Sequence, residues 1–330
     1  MNRCTNRQSI CVSWKWLMRT LFPAIMIVIV LPGSATAYPK PGAIESVVDF
    51  EVDPWFEVEG LAIAPSGNMY VGAAYEGEIY RVTPDGTVST FADLVPNPDD
   101  AYMLGFVVAG DGTLYVAIIG ANVLSMNGVW QVDAQGHASL AMAIPSTAPW
   151  ASIPNALTFD ERGNLYVTDS ATGSVWRMGT DGIVDMWVQD SLLEPLAFFG
   201  ANGISYRDNS LWVLNTEAGS ITEIPIRCDG SPGKPRTFVQ SDLLVGADGG
   251  QFDVAGNMYV CNIWTNELFR VTRTGQLSVI ITAEEFGAFY WPTNPSFGFG
   301  SERSTIYISG ADPSVVKVDV KIPGLLMPQF

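Results

Sequence analysis

Hydrophobic and polar positions alternate in short runs along most of the chain, with turn residues between the runs. The pattern is clearest over residues 60–91, where four β-type runs are separated by Ser66-Gly67, Glu76-Gly77 and Asp85-Gly86. Such pairs favour tight hairpin turns because glycine readily adopts the positive φ that these turns require. The segment is therefore predicted to form a four-stranded antiparallel sheet.

The same unit recurs six times along the chain. An aromatic residue flanked by apolar residues marks each copy, and successive copies lie 45, 51, 46, 47 and 48 residues apart. The six aromatic residues are Tyr70, Tyr115, Tyr166, Trp212, Tyr259 and Tyr307. A four-stranded unit repeated at about 45 residues is typical of a propeller blade. The pattern predicts an all-β protein, a six-bladed β-propeller with four-stranded blades.

The sixth copy contains only three β-patterned runs, at residues 296–299, 305–309 and 315–320. Residues 44–50 are also β-patterned and precede the first blade. We expect this N-terminal strand to complete the sixth blade and close the ring. Closure of this kind leaves no open sheet edge between the ends of the chain.

The first 37 residues have the pattern of a secretory signal peptide. Four basic residues and no acidic ones precede or flank the apolar run 21–31, which ends near Ala35-Thr36-Ala37. The alternative, a signal anchor, is disfavoured because the run is shorter than the roughly 20 residues needed to span a bilayer. We expect cleavage after Ala37, leaving residues 38–330 as a single propeller domain that is secreted or periplasmic and does not span a membrane.

Charge and residue usage exclude several kinds of chemistry. The chain has 34 Asp and Glu against 17 Lys and Arg, a net charge of −17, so nucleic acid is not an expected partner. A single histidine, His137, excludes sites built from several histidines. Cys228 and Cys261 remain after cleavage, and the sequence leaves open whether they form a disulfide or stay as thiols.

Polar residues occur at matching positions before the repeated aromatic residues. Counting back 11 residues, or 10 in blade 4 and 13 in blade 6, gives the set Glu59, Leu104, Asn155, Asn202, Asp248 and Asn294. Equivalent positions of a propeller converge at one mouth of its channel. Carboxylates and amide oxygens suit calcium, and the absence of His and Cys argues against zinc. Any one of these residues could simply cap a turn, but their common register favours a metal site.

The strings Pro154–Ser170 and Asn294–Gly298 resemble the SMP-30/gluconolactonase/LRE family of six-bladed propellers, and more distantly the diisopropylfluorophosphatases and paraoxonases. This resemblance implies that Glu59, Asn155, Asn202 and Asp248 hold a catalytic divalent metal, Ca²⁺ or another divalent ion. It implies a metal-dependent hydrolase of lactones or related esters. Asp248 would act as base or nucleophile and Glu59 as an ionised ligand with a catalytic role.

The sequence departs from the sugar-lactone hydrolases of that family, which typically have an arginine where this chain has Ile153. The expected mouth is apolar, with Met103, Leu104, Ile153, Asn294 and Trp291 as substrate-binding candidates. Four further aromatic residues lie near it: Phe198, Phe199, Trp264 and Tyr290. Packing between blades is the other explanation for the aromatic residues. We therefore expect an apolar small-molecule lactone or ester as substrate.

Two other functions are compatible with the sequence. A non-catalytic propeller built from NHL-like repeats would bind a protein or a glycan at its mouth or rim, since propellers host many functions. A phosphotriesterase would use the same cation on a phosphoryl oxygen.

Overall fold

The computed structural model describes residues 38–50, 58–287, 290–312 and 314–328. The predicted signal peptide lies outside the described residues. Residues 39–330 form one compact unit. No helix within the described residues is long and apolar enough to cross a membrane.

The described residues form twenty-four strands in six antiparallel sheets of four, and in five of the sheets the strands follow chain order from the innermost strand outward. Blade 1 comprises β2 (Val58–Ile63), β3 (Met69–Ala73), β4 (Glu78–Val82) and β5 (Val88–Asp93). Blade 2 comprises β6 (Ala101–Val108), β7 (Leu114–Gly120), β8 (Gly128–Val132) and β9 (Ala138–Ala143). Blade 3 comprises β10 (Pro154–Phe159), β11 (Leu165–Asp169), β12 (Ser174–Met178) and β13 (Val184–Gln189). Blade 4 comprises β14 (Ala201–Arg207), β15 (Ser210–Asn215), β16 (Ser220–Pro225) and β17 (Arg236–Gln240). Blade 5 comprises β18 (Ala247–Phe252), β19 (Met258–Asn262), β20 (Glu267–Val271) and β21 (Leu277–Ile281).

Blade 6 confirms the predicted closure of the ring. It comprises β22 (Pro292–Phe297), β23 (Thr305–Gly310), β24 (Ser314–Asp319) and, as its outermost strand, β1 (Glu45–Asp49). β1 pairs antiparallel with β24, for example Glu45 with Lys317. Both ends of the described chain therefore contribute to one sheet.

The few helical turns lie in loops between strands. α1 (Ala283–Phe286) follows β21 and is capped by reciprocal hydrogen bonds between Thr282 and Glu285. The described part of the chain also has single 3₁₀ turns at Leu124–Met126, Asp242–Leu244 and Gly300–Glu302.

The core is a ring of six apolar clusters, one between each pair of neighbouring blades. The repeated aromatic residue packs across these interfaces. Tyr259, for example, makes an edge-to-face contact with Phe297 of the next blade, with ring centroids 5.7 Å apart. Tyr115 with Phe159 and Trp212 with Phe252 form the same contact. The aromatic repeat in the sequence thus reflects packing between blades, which such ring pairs stabilise.

Candidate metal and catalytic site

Each innermost strand carries a β-bulge at the same place. In all six blades, two residues of the innermost strand lie opposite one residue of the second strand. The first residue of each pair is, in blade order, Glu59, Leu104, Asn155, Asn202, Asp248 and Thr293. We call this set the bulge ring. Five of its six members are those chosen from the sequence.

Blade 6 requires a correction. The pairing of Pro292 with Gly310 and Pro295 with Ile308 gives the ring position to Thr293, so the placement of Asn294 there is wrong. The 3₁₀ turn Gly300–Glu302 lengthens this blade's first hairpin by three residues, so Thr293 lies 14 residues before Tyr307. Asn294 instead lines the channel beneath the ring and donates a hydrogen bond to the carbonyl of Leu61 at 3.3 Å.

Neighbouring bulges pack closely enough to fix the ring. The second bulge residue is glycine in four blades, at Gly60, Gly105, Gly203 and Gly249. A Cβ atom at any of these would lie within 2.7 Å of the neighbouring ring residue's carbonyl oxygen. These glycines are therefore required by the close approach of two backbones, and any larger residue would push a ring member out of place.

The two ring amides are oriented by buried hydroxyl groups. The Asn155 Nδ2 donates to Ser170 Oγ at 3.0 Å, and Ser170 Oγ donates to the carbonyl of Ala201 at 2.6 Å. A hydroxyl has one hydrogen to donate, so Ser170 must accept from the Asn155 amide nitrogen. The amide oxygen of Asn155 is thereby directed away from Ser170.

Blade 4 repeats this arrangement. The Asn202 Nδ2 donates to Thr216 Oγ1 at 3.0 Å, and Thr216 Oγ1 donates to the carbonyl of Ala247 at 2.8 Å. Asn155 and Asn202 are each only 5 % exposed, and neither amide oxygen accepts a hydrogen bond from the part of the chain that the structure describes. Two amide oxygens that could bind a metal are thus oriented at neighbouring ring positions.

Thr293 is fixed in a related way. Its hydroxyl donates to the carbonyl of Val58 at 3.1 Å and lies 2.9 Å from Ser309 Oγ. Val58 immediately precedes Glu59 in β2. The hydroxyl of Thr293 therefore ties blade 6 to blade 1 beside the Glu59 ring position.

The two carboxylates act on a common buried group. Cys261, which lies opposite the bulge of blade 5, is fully buried, and burial raises the pKa of its thiol well above the usual range. The negative charges of Asp248 and then Glu59 raise it further. Both carboxylates are therefore within electrostatic reach of one thiol between blades 5 and 6.

The described residues contain no cluster of three or more His, Cys, Asp or Glu that could hold a metal. The bulge ring has two carboxylates, and its other oxygen donors are the two amides and the Thr293 hydroxyl. This donor chemistry fits a hard divalent cation such as Ca²⁺, which takes about six to eight oxygen ligands including amide carbonyls and water. The two carboxylate charges match one divalent ion.

The other residues chosen from the sequence occupy different environments. Met103 and Ile153 are fully buried, so the expectation that they line an open mouth is wrong. Tyr290 is also buried and donates to the carbonyl of Ile308. Leu104 occupies the blade 2 ring position, and Trp291 is half-buried immediately before β22. Their contact with substrate stays a prediction.

The two cysteines of the described chain do not pair. Cys228 is an exposed free thiol and Cys261 a buried one. This resolves the alternative that the sequence left open. His137 lies in the β8–β9 turn, where its ring Nδ1 is 3.2 Å from Asp133 Oδ2.

Comparison with known proteins gives consistent but distant similarity. No protein-family model matches the chain. Lactonase drp35 of Staphylococcus aureus is 22% identical over 270 residues, covering 77% of this chain and 81% of that protein. The structure is similar to a gluconolactonase of Xanthomonas campestris, with TM-score 0.66, 19% identity, and coverage of 85% of this chain and 89% of the other. It is also similar to a calcium-binding protein, regucalcin, of Agrobacterium tumefaciens, with TM-score 0.68, 17% identity, and coverage of 89% and 97%. At these identities the structures show a shared six-bladed propeller fold.

Proposed function

We propose that this protein is an exported, divalent-metal-dependent hydrolase of lactones or related esters. The observation that carries the proposal is the bulge ring, which holds two carboxylates and two pre-oriented amide oxygens at equivalent positions of four blades. The similar proteins named lactonase and gluconolactonase support the reaction type, and the calcium-binding regucalcin supports the choice of metal. A protein-binding propeller has no need for these groups in one register.

Glu59, Asn155, Asn202 and Asp248 would hold the cation. When bound, it would supply Lewis-acid polarisation of the ester carbonyl. Asn155 and Asn202 present neutral oxygens whose direction is set by Ser170 and Thr216. The hydrogen bonds from their amide nitrogens fix the direction of the two oxygens before substrate binds.

Asp248 is the residue that we assign to the chemical step. Its carboxylate accepts a proton from the attacking water, or attacks the carbonyl itself and is released by a later hydrolysis. In either case the products are those of ester hydrolysis, an alcohol and a carboxylic acid, which for a lactone are joined in one hydroxy acid. Glu59, in blade 1 on the far side of blade 6 from Asp248, supplies the second negative charge that neutralises the divalent cation.

The test compares Ca²⁺ binding by calorimetry with hydrolysis of a panel of lactones, aryl esters and organophosphates. Asp248→Asn and Glu59→Gln should each weaken Ca²⁺ binding at least tenfold, and Asp248→Asn should lower kcat by about 10²–10⁴-fold as expected for loss of a base. Asp242→Asn removes the same charge from an exposed side chain in the 3₁₀ turn before β18 and should change neither quantity. The proposal fails if the purified protein binds no divalent ion, or if both ring variants keep full activity.

A further inference from the structure

A continuous chain of aromatic rings lies on the mouth side of blades 1 to 4. Tyr75 contacts Tyr102 edge to face with centroids 5.1 Å apart, and Tyr102 stacks on Trp150 at 5.3 Å. Trp150 lies 6.2 Å from Phe198, which contacts Phe199 at 4.8 Å. All five side chains are half-buried. We call these five residues the aromatic arc.

The arc is attached directly to the bulge ring. Tyr102 precedes the ring residue Leu104 by two positions in β6. Phe199 lies three residues before Asn202, and Trp150 five residues before Asn155. The backbone N–H of Met103 donates to the carbonyl of Ala74 at 3.1 Å, which holds the Tyr75 turn against the start of β6.

The arc includes Tyr102 of blade 2, the blade that carries the one apolar ring position. Leu104 is the one ring member without a side-chain oxygen, and in a ring of six blades it is diametrically opposite Asp248 of blade 5. A substrate whose carbonyl faces Asp248 would therefore extend its other end over Leu104 and onto the aromatic rings.

Two features show that the arc is held in a defined geometry. Trp150 has φ of 66°, a conformation that costs free energy for a non-glycine residue and that is typical of functional sites. The Glu217 carboxylate accepts hydrogen bonds from the backbone N–H groups of Ala197 and Phe198 at 2.6 and 2.9 Å. Glu217 directly follows Thr216, so the loop that carries Phe198 and Phe199 is joined to the residue that orients Asn202.

We propose that the aromatic arc, centred on Trp150, is the subsite that binds the body of the substrate and selects a planar, ring-bearing side group. This inference rests on the proposed hydrolase function and adds to it the specificity-determining residues. Offset stacking of a substrate ring on Trp150, edge-to-face contact with Phe198 and exclusion of water above Leu104 would supply the selectivity. Such binding is uniform between substrate and transition state, so it should appear in KM.

The experiment measures kcat and KM for γ-phenyl-γ-butyrolactone and γ-methyl-γ-butyrolactone, which share the same reacting ring. Trp150→Gly removes the central ring and keeps a residue that tolerates positive φ. It should raise KM for the phenyl lactone about tenfold, the size expected for loss of ring stacking and apolar contact, and change KM for the methyl lactone less than twofold. Met186→Ala is the control, because Met186 is a large apolar side chain exposed on β13, the outermost strand of blade 3, away from the mouth.

The outcomes separate the two proposals. If the wild-type protein hydrolyses lactones in an Asp248-dependent manner but Trp150→Gly leaves the phenyl-to-methyl preference unchanged, the subsite is refuted and the hydrolase function stands. An equal loss for both substrates also refutes it, since it would indicate a general structural role. If no lactone or ester is turned over, both proposals fail.

Discussion

Thr216 and Thr222 are both buried in blade 4, but only the hydroxyl of Thr216 has hydrogen-bond partners among the described residues. The Thr216 hydroxyl bridges the Asn202 amide and the Ala247 carbonyl. The Thr222 hydroxyl, in β16 and 0% exposed, has no hydrogen-bond partner among the described residues. Replacement by valine keeps the branched shape of the side chain and removes the hydroxyl at each site. The pair thus isolates the effect of the hydroxyl bridge.

The two substitutions should change stability in opposite directions. Thr216→Val leaves one buried N–H and one buried carbonyl without a partner, at about 1–3 kcal/mol each, a loss of about 2–6 kcal/mol. Thr222→Val removes a buried unsatisfied hydroxyl and should stabilise the protein by about 1 kcal/mol. For a domain of this size, 1 kcal/mol corresponds to a Tm change of roughly 2 °C.

Urea denaturation and thermal melting measure both changes, with an unchanged m value as the check that the denatured state is the same. Thr216→Val should in addition weaken Ca²⁺ binding by about 10–100-fold, as expected when the group that orients a metal ligand is lost. Thr222→Val should leave Ca²⁺ binding unaltered. Equal stability changes at the two sites, or unchanged Ca²⁺ affinity in Thr216→Val, would refute the assignment of Thr216 as the residue that orients Asn202.

Three further predictions follow from the ring and its surroundings. Gly203→Ala would place a Cβ against the Asp248 carbonyl and should cost about 1–3 kcal/mol in urea denaturation with a loss of activity, whereas Gly42→Ala, whose nearest atoms lie 3.6 Å away, should be close to neutral. A native-state thiol assay on the protein cleaved after Ala37 should detect Cys228 at once and Cys261 only after unfolding, and rapid modification of both would contradict the burial of Cys261. Ca²⁺ at 100 times its Kd should stabilise the protein by about 2.7 kcal/mol relative to a chelator-treated sample, and Asp248→Asn should show a much smaller effect at the same concentration.

The repeat predicted the fold because every blade packs against its neighbours through the same residue types at the same positions. Glycine-containing turns and one aromatic residue per unit were sufficient to locate six blades, and β-patterning of residues 44–50 was sufficient to locate the closing strand. Counting from the aromatic residues also located five ring positions. It failed at Thr293, because the count depends on hairpin length and the Gly300–Glu302 turn adds three residues.

Other residues of the site could not be found by counting positions from the repeated aromatic residues. Ser170 and Thr216 follow the ends of second strands, where a hydroxyl residue is common in turns and its partner is on another strand or blade. Met103 and Ile153 are apolar residues beside ring positions, and sequence alone did not distinguish a buried side chain from one at the mouth. Tyr102 and Trp150 form the arc only because loops from separate blades converge.

The bulge ring places its one apolar side chain opposite a carboxylate at the mouth. The carboxylates of Asp248 and Glu59 occupy blades 5 and 1 on either side of blade 6, where Thr293 ties the blades together. Leu104 of blade 2 is opposite Asp248, and the aromatic arc runs along the mouth side of blades 1 to 4. An ester has the same division, with a polar reacting group at one end and an apolar body at the other. Its orientation would therefore be set before any bond changes, because the reverse orientation would desolvate the carboxylates against an apolar group.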